Sequence, residues 1–452
     1  MKNRRVYLDN ASTTPVDKDV LKVMSLYFSR IYGNPSSLHL EGRLAKKAVS
    51  EARKEISAVL GCETQEVIFT SGGTEANNLA ILGIARANSF CHCEREQSPA
   101  RLCHSGGNPD FKIDCHVAKP LPAGALPFSI MGYHEENQVA RNDGKENICG
   151  CKRGHIITSK IEHKSVLDAC KKLEKEGFDI TYLPVNKSGV ISIDEIKKNL
   201  RSDTILVSIM YANNEIGSIQ PIKEIAKVVK ASKICQPIFH TDACQAVGAL
   251  TVNIKDLDVD ALTFNASKVY GPKGIGCLYI KDGIKIEPTF VGGAQERGLR
   301  AGTENLAGIV GLGKAITLAE KKRARESKRL IVLRNYFLAK ILKKIEGISV
   351  NGGTDERLPN NINISIKGVE GESLLLMLDN KGVACSTGSA CSSVDLEPSY
   401  VLLAIGIPLE LAHSSIRFTL GRHTTKNDLD FAIKALNESV DHIRKMTYEK
   451  RK

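Results

Sequence analysis

The chain has 452 residues with 42% hydrophobic and 25% charged residues, the balance of an ordinary soluble protein with room for one large and one smaller domain. No apolar run approaches the length of a membrane-spanning helix. The basic start MKNRR has no apolar stretch behind it, so a secretory signal is not expected; a cytoplasmic protein with no membrane partner is.

Much of the net charge of +12 lies in runs such as Lys321 to Arg329 and the Lys445–Lys452 tail. These read as solvated helix faces, and no nucleic-acid-binding signature accompanies them, so no nucleic-acid partner is expected. Thirteen cysteines is an odd count. In a long chain without an export signal they read as thiols, metal ligands or a nucleophile rather than a disulfide framework.

Residues 1–15 read as extended, ending at Ser12-Thr13-Thr14-Pro15. A helix is expected at about Lys18–Phe28, then a Gly33–Ser37 loop. From Leu38 to Leu60 apolar residues recur at helical spacing (Leu44, Ala48, Ala52, Ile56, Val59). Val67–Thr70 is a short strand, followed by Ser71-Gly72-Gly73-Thr74 and a helix from Glu75 to about Ala87.

Residues 89–152 break the pattern. They lack periodicity and hold Cys-His pairs, among them Cys91-His92-Cys93, Cys103-His104 and Cys115-His116. Thiolate and imidazole would suit a zinc or iron site, but the Cys91-x-Cys93 and Cys149-x-Cys151 spacings do not match zinc knuckles. A disordered insertion is the favoured reading, and no metal site is expected.

Alternation then resumes. Strands are expected at His155–Ser159, Ile180–Val185, Thr204–Met210, Pro237–Thr241, Ala261–Phe264 and Gly276–Ile280. Helices fall between them at about Lys164–Glu176, Asp194–Leu200 and Pro221–Ala231. This predicts an α/β fold with a mostly parallel sheet covered by helices on both faces. A charged helix from about Leu312 leads into a smaller α+β domain, with a strand at Asn363–Ile366 and a helix at Glu372–Asn380. The expected division is 16–320 for the large domain, with 1–15 and 321–452 forming the small one.

In such sheets ligands bind beyond the carboxyl ends of the strands. That rule gathers Gly73-Thr74, His163, Asn213-Asn214, Asp242-Gln245 and Lys268. Each has a plain reading as a cap or a turn residue; all at successive strand ends are harder to explain so. Lys268 stands where an apolar run gives way to Gly271-Pro272, a place where desolvation favours a neutral, nucleophilic amine. A Gly-rich turn before a helix can hold a phosphate. With an aspartate for a pyridinium nitrogen, the set describes a pyridoxal phosphate site, His163 stacking on the ring. Cys385 and Cys391 lie in a Ser/Gly-rich run suited to a travelling thiol. Arg417 would suit a bidentate grip on a carboxylate, or equally an ion pair within the small domain.

These residues fall in longer motifs: YLDNASTTPV at Tyr7, GNPSSLH at Gly33, FTSGGTEANNLAI at Phe69, EHKSVL at Glu162 and NNEIGSIQPI at Asn213. Further on come HTDACQA at His240, YGPKGIG at Tyr270, ERGLRAGTEN at Glu296, TGSACSS at Thr387, LEPSYVL at Leu396 and AHSSIRFTLGR at Ala412. With them the chain resembles the cysteine desulfurases of the NifS/IscS type, class-V aminotransferases of fold-type I that carry pyridoxal 5′-phosphate. The resemblance covers nearly all the chain apart from 89–152.

It implies that Lys268 holds the cofactor as a Schiff base, with Asp242 at the ring nitrogen, Gln245 near the ring hydroxyl and His163 stacked and moving protons. Gly73, Thr74, Asn265 and Ser267 would contact the cofactor at its phosphate end. Thr303 would reach the other subunit's site in a homodimer. Asn214 and Arg417 would hold the substrate carboxylate, and Asn214 the cofactor. Cys391 would take sulfur from L-cysteine as a persulfide and pass it to an iron–sulfur scaffold or other acceptor protein. A selenocysteine lyase would use similar parts. The chain departs from that family at Asn265-Ala266-Ser267, where Ser-x-His is usual, in the 89–152 segment, and in lacking a longer tail after Tyr448.

Overall fold

The computed structural model describes residues 4–89, 153–387 and 397–449. Residues 90–152, nearly all of the Cys/His-rich segment, and Cys391 lie outside the described residues.

The strands are β1 (Val6–Tyr7), β2 (Val67–Thr70), β3 (His155–Ser159), β4 (Asp179–Leu183), β5 (Thr204–Ser208), β6 (Ile238–Asp242), β7 (Ala261–Asn265), β8 (Gly276–Ile280), β9 (Ile348–Val350), β10 (Asn361–Ile366), β11 (Val383–Ala384) and β12 (Ser415–Thr419). Seven form one sheet in the order β2-β8-β7-β6-β5-β3-β4. Within it only β8 runs against its neighbours; the pairs from β7 to β4 are all parallel. The fold is α/β, as the alternation of apolar runs and helical periods requires.

The inner strands are buried on both faces, so apolar side chains predominate in them and successive residues feed opposite cores. Phe69, Ile157, Val207, Phe239 and Phe264 pack under helices Lys18–Ser29, Leu40–Leu60 and Ile222–Lys230. Ile68, Ile156, Leu206 and Leu278 pack under the helical run that starts at Gly73 and under Lys164–Lys175. The buried polar side chains of these strands bond across them: His240 spans from Ser208 Oγ to Thr263 Oγ1 across β5, β6 and β7. Its burial holds its pKa down at about 4, so it is a neutral rivet between strands.

A separate core gathers Leu8, Phe337, Ile341, Ile364, Ile416, Phe418 and Leu436 around the three-stranded sheet β12-β10-β9. The helix Leu306–Lys344 serves both cores, with Leu312 and Ile316 in the first and Phe337 and Ile341 in the second. It begins six residues before the expected Leu312, because Asn305 caps Gly308 N at 3.1 Å and starts it. Among the described residues no helix is long and apolar enough to cross a membrane.

The edge strand β2 is closed by a side chain. Glu296 accepts the Phe69 N–H at 2.8 Å and pairs with Arg53 at 2.6 Å, on a turn where Glu296 and Arg297 both take positive φ. The unpaired N–H of an edge strand is thereby satisfied.

Candidate active site

All the strand ends that matter open on one side of the sheet. β2 ends at Thr70 and hands over to Gly72-Gly73, where a helical run continues through a π turn to Ala87. No side chain caps its first turn, so its backbone N–H groups face the opening. Two glycines make the approach possible. A Cβ on Gly276 would stand 2.5 Å from the Gly72 carbonyl carbon, and one on Gly73 would stand 2.7 Å from Cys244 Sγ.

A cavity of about 340 Å³ opens there, lined by Gly73, Thr74, His163, Asn214, Asp242, Gln245, Asn265, Lys268 and Arg417. Nine residues chosen from the sequence therefore share one space. Ser267 is adjacent but not in the lining; its hydroxyl is 3.3 Å from Asn265 Oδ1. Thr303 is exposed and lies outside this cavity, in a separate cleft with Ser71 and Gly274. Asn213 is structural: its Oδ1 accepts the Glu215 and Ile216 N–H groups and its Nδ2 donates to the Ile161 carbonyl.

Lys268 ends the short 3-10 turn that follows β7, and its Nζ donates to the Ser12 carbonyl at 2.5 Å. Two residues on, Tyr270 is held at φ 66 by Thr14, whose Oγ1 accepts the Tyr270 N–H. A non-glycine residue in that region costs energy and survives only where its surroundings fix it. The N-terminal strand and its turn thus lock the lysine from above.

Asp242, 5% exposed, accepts from Asn77 Nδ2 at 2.7 Å and from Cys244 N at 2.8 Å. His163 caps the helix Lys164–Lys175, its Nδ1 accepting the Ser165 N–H at 3.1 Å. An imidazole nitrogen that accepts carries no proton, so the neutral ring is protonated at Nε2. Burial, with Asp242 beside it, pushes the Cys244 thiol well above its ordinary pKa, which keeps it an uncharged wall of the cavity.

Arg417 donates to Asp9 Oδ1 at 2.8 Å, Ser12 Oγ at 2.9 Å and the Asn214 carbonyl at 2.9 Å. The ion pair and the place in the cavity coexist. Its Nε is buried with no acceptor among the described residues. Glu215 stands nearby; burial pushes its carboxyl up to about 7 against the pull of the Ser399 hydroxyl and Arg417. Ser399 Oγ donates to it at 2.5 Å, and Tyr400 Oη donates to the Glu162 carbonyl at 2.6 Å. On the other flank, Arg417 N–H donates to the Ser386 carbonyl at 2.6 Å. The chain on both sides of 388–396 is thus tied to the cavity wall. Cys385 is buried in the second core and its thiol is pushed up by burial.

The set fits pyridoxal phosphate on three observations. A primary amine and a buried carboxylate share the cavity with an uncapped helix start. Gly73 leaves the space that a Cβ would fill. A buried guanidinium with an unpaired Nε waits on the opposite wall. Asn77, Ser165, Glu215 and Tyr400 also line the cavity and were not picked out as site residues. Asn77 was within reach of sequence reasoning, since position i+4 from Gly73 on a helix shares its face.

The class-V aminotransferase family model matches residues 6–94 and 135–431. The unmatched stretch between them falls inside the Cys/His-rich segment. The cysteine desulfurase IscS of Dictyoglomus turgidum is 47% identical over 441 residues, covering 98% of this chain and 96% of its own. That of Methanosarcina thermophila is 43% identical over 445 residues, covering 98% and 94%. Among solved structures, a NifS-like protein superposes with a TM-score of 0.78 at 30% identity, covering 97% of this chain and all of its own. SspA in complex with cysteine gives 0.68 at 31%, covering 93% and 99%. The chain belongs to the class-V aminotransferase family, among its cysteine desulfurases.

Proposed function

We propose that the protein removes sulfur from L-cysteine, leaving L-alanine, and carries that sulfur as a persulfide on Cys391 to an iron–sulfur scaffold or another acceptor protein. The observation that carries this reading is the meeting of Lys268, Asp242, His163 and Gly73-Thr74 in one cavity. The solved relative holding cysteine supports the substrate.

Pyridoxal 5′-phosphate, when bound, supplies an electron sink for the bonds at the substrate's α-carbon. The protein's own groups do the rest. Lys268 Nζ would hold the cofactor aldehyde. Asp242, fixed by the Asn77 and Cys244 N–H groups, presents a carboxylate to the ring nitrogen and keeps a proton there. Gly73, Thr74 and Asn265 would receive the phosphate end, with Ser267 supporting Asn265 from outside the lining, and Gln245 the ring hydroxyl. His163 would stack on the ring, and its Nε2–H is the proton it could give. Asn214 also touches the cofactor and, with the Arg417 guanidinium, orients the substrate carboxylate, a pairing that a planar fork makes well.

Cys391 would attack the substrate sulfur as a thiolate: a sulfur–sulfur bond forms, the carbon–sulfur bond breaks, and the β-carbon keeps the electron pair and takes a proton to give alanine. The two tethered flanks at Ser386 and Ser399 support a nucleophile delivered to this cavity.

We read the chain as two units, 16–320, and 1–15 with 321–452, joined through the helix Leu306–Lys344. We also assign it a homodimer, with Thr303 completing the partner subunit's site. Its exposed place outside its own cavity supports this, as do the exposed Phe28, Tyr32 and Leu38. The free cysteines among the described residues support a reducing, cytoplasmic setting.

The test is spectroscopic and chemical. Wild-type protein should show the visible absorption of a lysine-bound cofactor, and Lys268→Ala should lose it together with alanine formation. Cys391→Ser should keep the band and release no sulfur, whereas Cys385→Ala should still turn over. Absence of the band after reconstitution would sink the reading; turnover by Cys391→Ser would move the nucleophile.

A further inference from the structure

We propose that Asn77 is a positioning residue that joins Asp242 and His163 into one unit facing the cavity; this rests on reading the cavity as a pyridoxal phosphate site. Asn77 is 1% exposed and sits one turn into the helical run whose start, Gly73-Thr74, lines the same cavity. Its Nδ2 carries two protons and uses each. One goes to Asp242 Oδ2 at 2.7 Å, the other to Ser165 Oγ at 2.8 Å. The Ser165 hydroxyl lies 2.8 Å from His163 Nδ1. With its oxygen accepting from Asn77, its own proton points at the imidazole.

The chemistry fixes the orientation of the amide. An ionised carboxylate only accepts, so Nδ2 must face Asp242, and the opposite amide orientation would set two oxygens against each other. Asn77 Oδ1 is left buried without a partner among the described residues. A fully apolar side chain or alanine would suit a buried helix position better. An amide kept there at that cost is placed for its two donors.

The consequence is a division of labour. The Cys244 N–H takes Asp242 Oδ1 and Asn77 takes Oδ2, so the carboxylate cannot rotate and keeps one orientation toward the place of the ring nitrogen. Through Ser165 the same amide holds His163 Nδ1 as an acceptor, which keeps the ring proton at Nε2. One side chain thereby sets the orientation of one cofactor partner and the tautomer of the other.

The experiment uses full-length apoprotein titrated with pyridoxal 5′-phosphate, reading the visible band and the dissociation constant. Asn77→Ala should weaken binding roughly tenfold or more, as expected for a lost hydrogen bond to a charged acceptor. It should also shift the absorption maximum of the bound cofactor, which a loss of general stability would not do. Asn77→Leu, which keeps the bulk without the two N–H groups, should behave the same way. In an Asp242→Ala background the further loss should be less than about twofold, because the two residues act together.

Binding by both Asn77 variants within about twofold of wild type with an unmoved band, or full additivity with Asp242→Ala, would overturn the proposal. Failure of both variants to fold would assign Asn77 to folding and overturn it too. If wild-type protein itself binds no cofactor, it is the reading of the cavity that fails.

Discussion

Arg417 shows how a residue's neighbours decide its use. It is 3% exposed and pairs with Asp9, yet its guanidinium lines the cavity and its Nε has no acceptor among the described residues. A buried guanidinium with one ionic partner is held in place by that partner, and its unused N–H groups remain for a second anion. Arg417→Lys retains the charge but not the fork. It should raise KM for cysteine about tenfold to a hundredfold, the range for a lost charge-assisted hydrogen bond or two. Steady-state alanine formation would measure it, with a smaller change in kcat than in KM. An unchanged KM would return Arg417 to a purely structural ion pair.

At the level of elements, β2 and the cradle behind it depend on a turn far away in sequence. Glu296 closes the edge of β2 through Phe69 N–H and holds Arg53, itself stacked 4.6 Å over the Phe69 ring. The side chains of Arg53 and Glu296 are only 20% and 3% exposed, so the pair differs in kind from surface pairs such as Lys47–Glu51. Glu296→Ala leaves a part-buried guanidinium without its counter-ion and an edge N–H unsatisfied. It should cost about 2–4 kcal/mol in denaturant unfolding. Glu51→Ala should be indistinguishable from wild type in the same assay. A neutral Glu296→Ala would mean that β2 is held by its pairing with β8 alone.

For the whole molecule, the surface formed by residues 21–44 stands out by its exposed apolar side chains. Leu21, Phe28, Tyr32, Leu38, Leu40 and Leu44 are between 43% and 89% exposed, an unusual concentration of large apolar side chains in one short stretch. The proposed homodimer would cover it. Replacing Phe28 and Leu38 together by aspartate should give a monomer by light scattering after size exclusion. If Thr303 serves the partner's site, that monomer should also bind cofactor more weakly than the wild-type dimer. A double variant that stays dimeric would place the interface elsewhere.

Much of this was legible in the chain itself. Apolar alternation and helix periods are local properties, so strands such as His155–Ser159 and Gly276–Ile280 could be placed to the residue. The rule that α/β sheets bind at strand carboxyl ends then gathered Lys268, Asp242 and His163 without any contact being known. What the sequence could not settle was everything that depends on a neighbour far along the chain. Ser267 has the right chemistry but turns to Asn265 instead of lining the cavity. Asn77 and Glu215 look like ordinary helix and loop residues until Asp242, Ser165 and Ser399 arrive beside them. Local pattern follows from the chain's own backbone and apolar spacing. Charge state, tautomer and hydrogen-bond partner follow from burial and from what folding brings within 3 Å, and only the tertiary structure decides those.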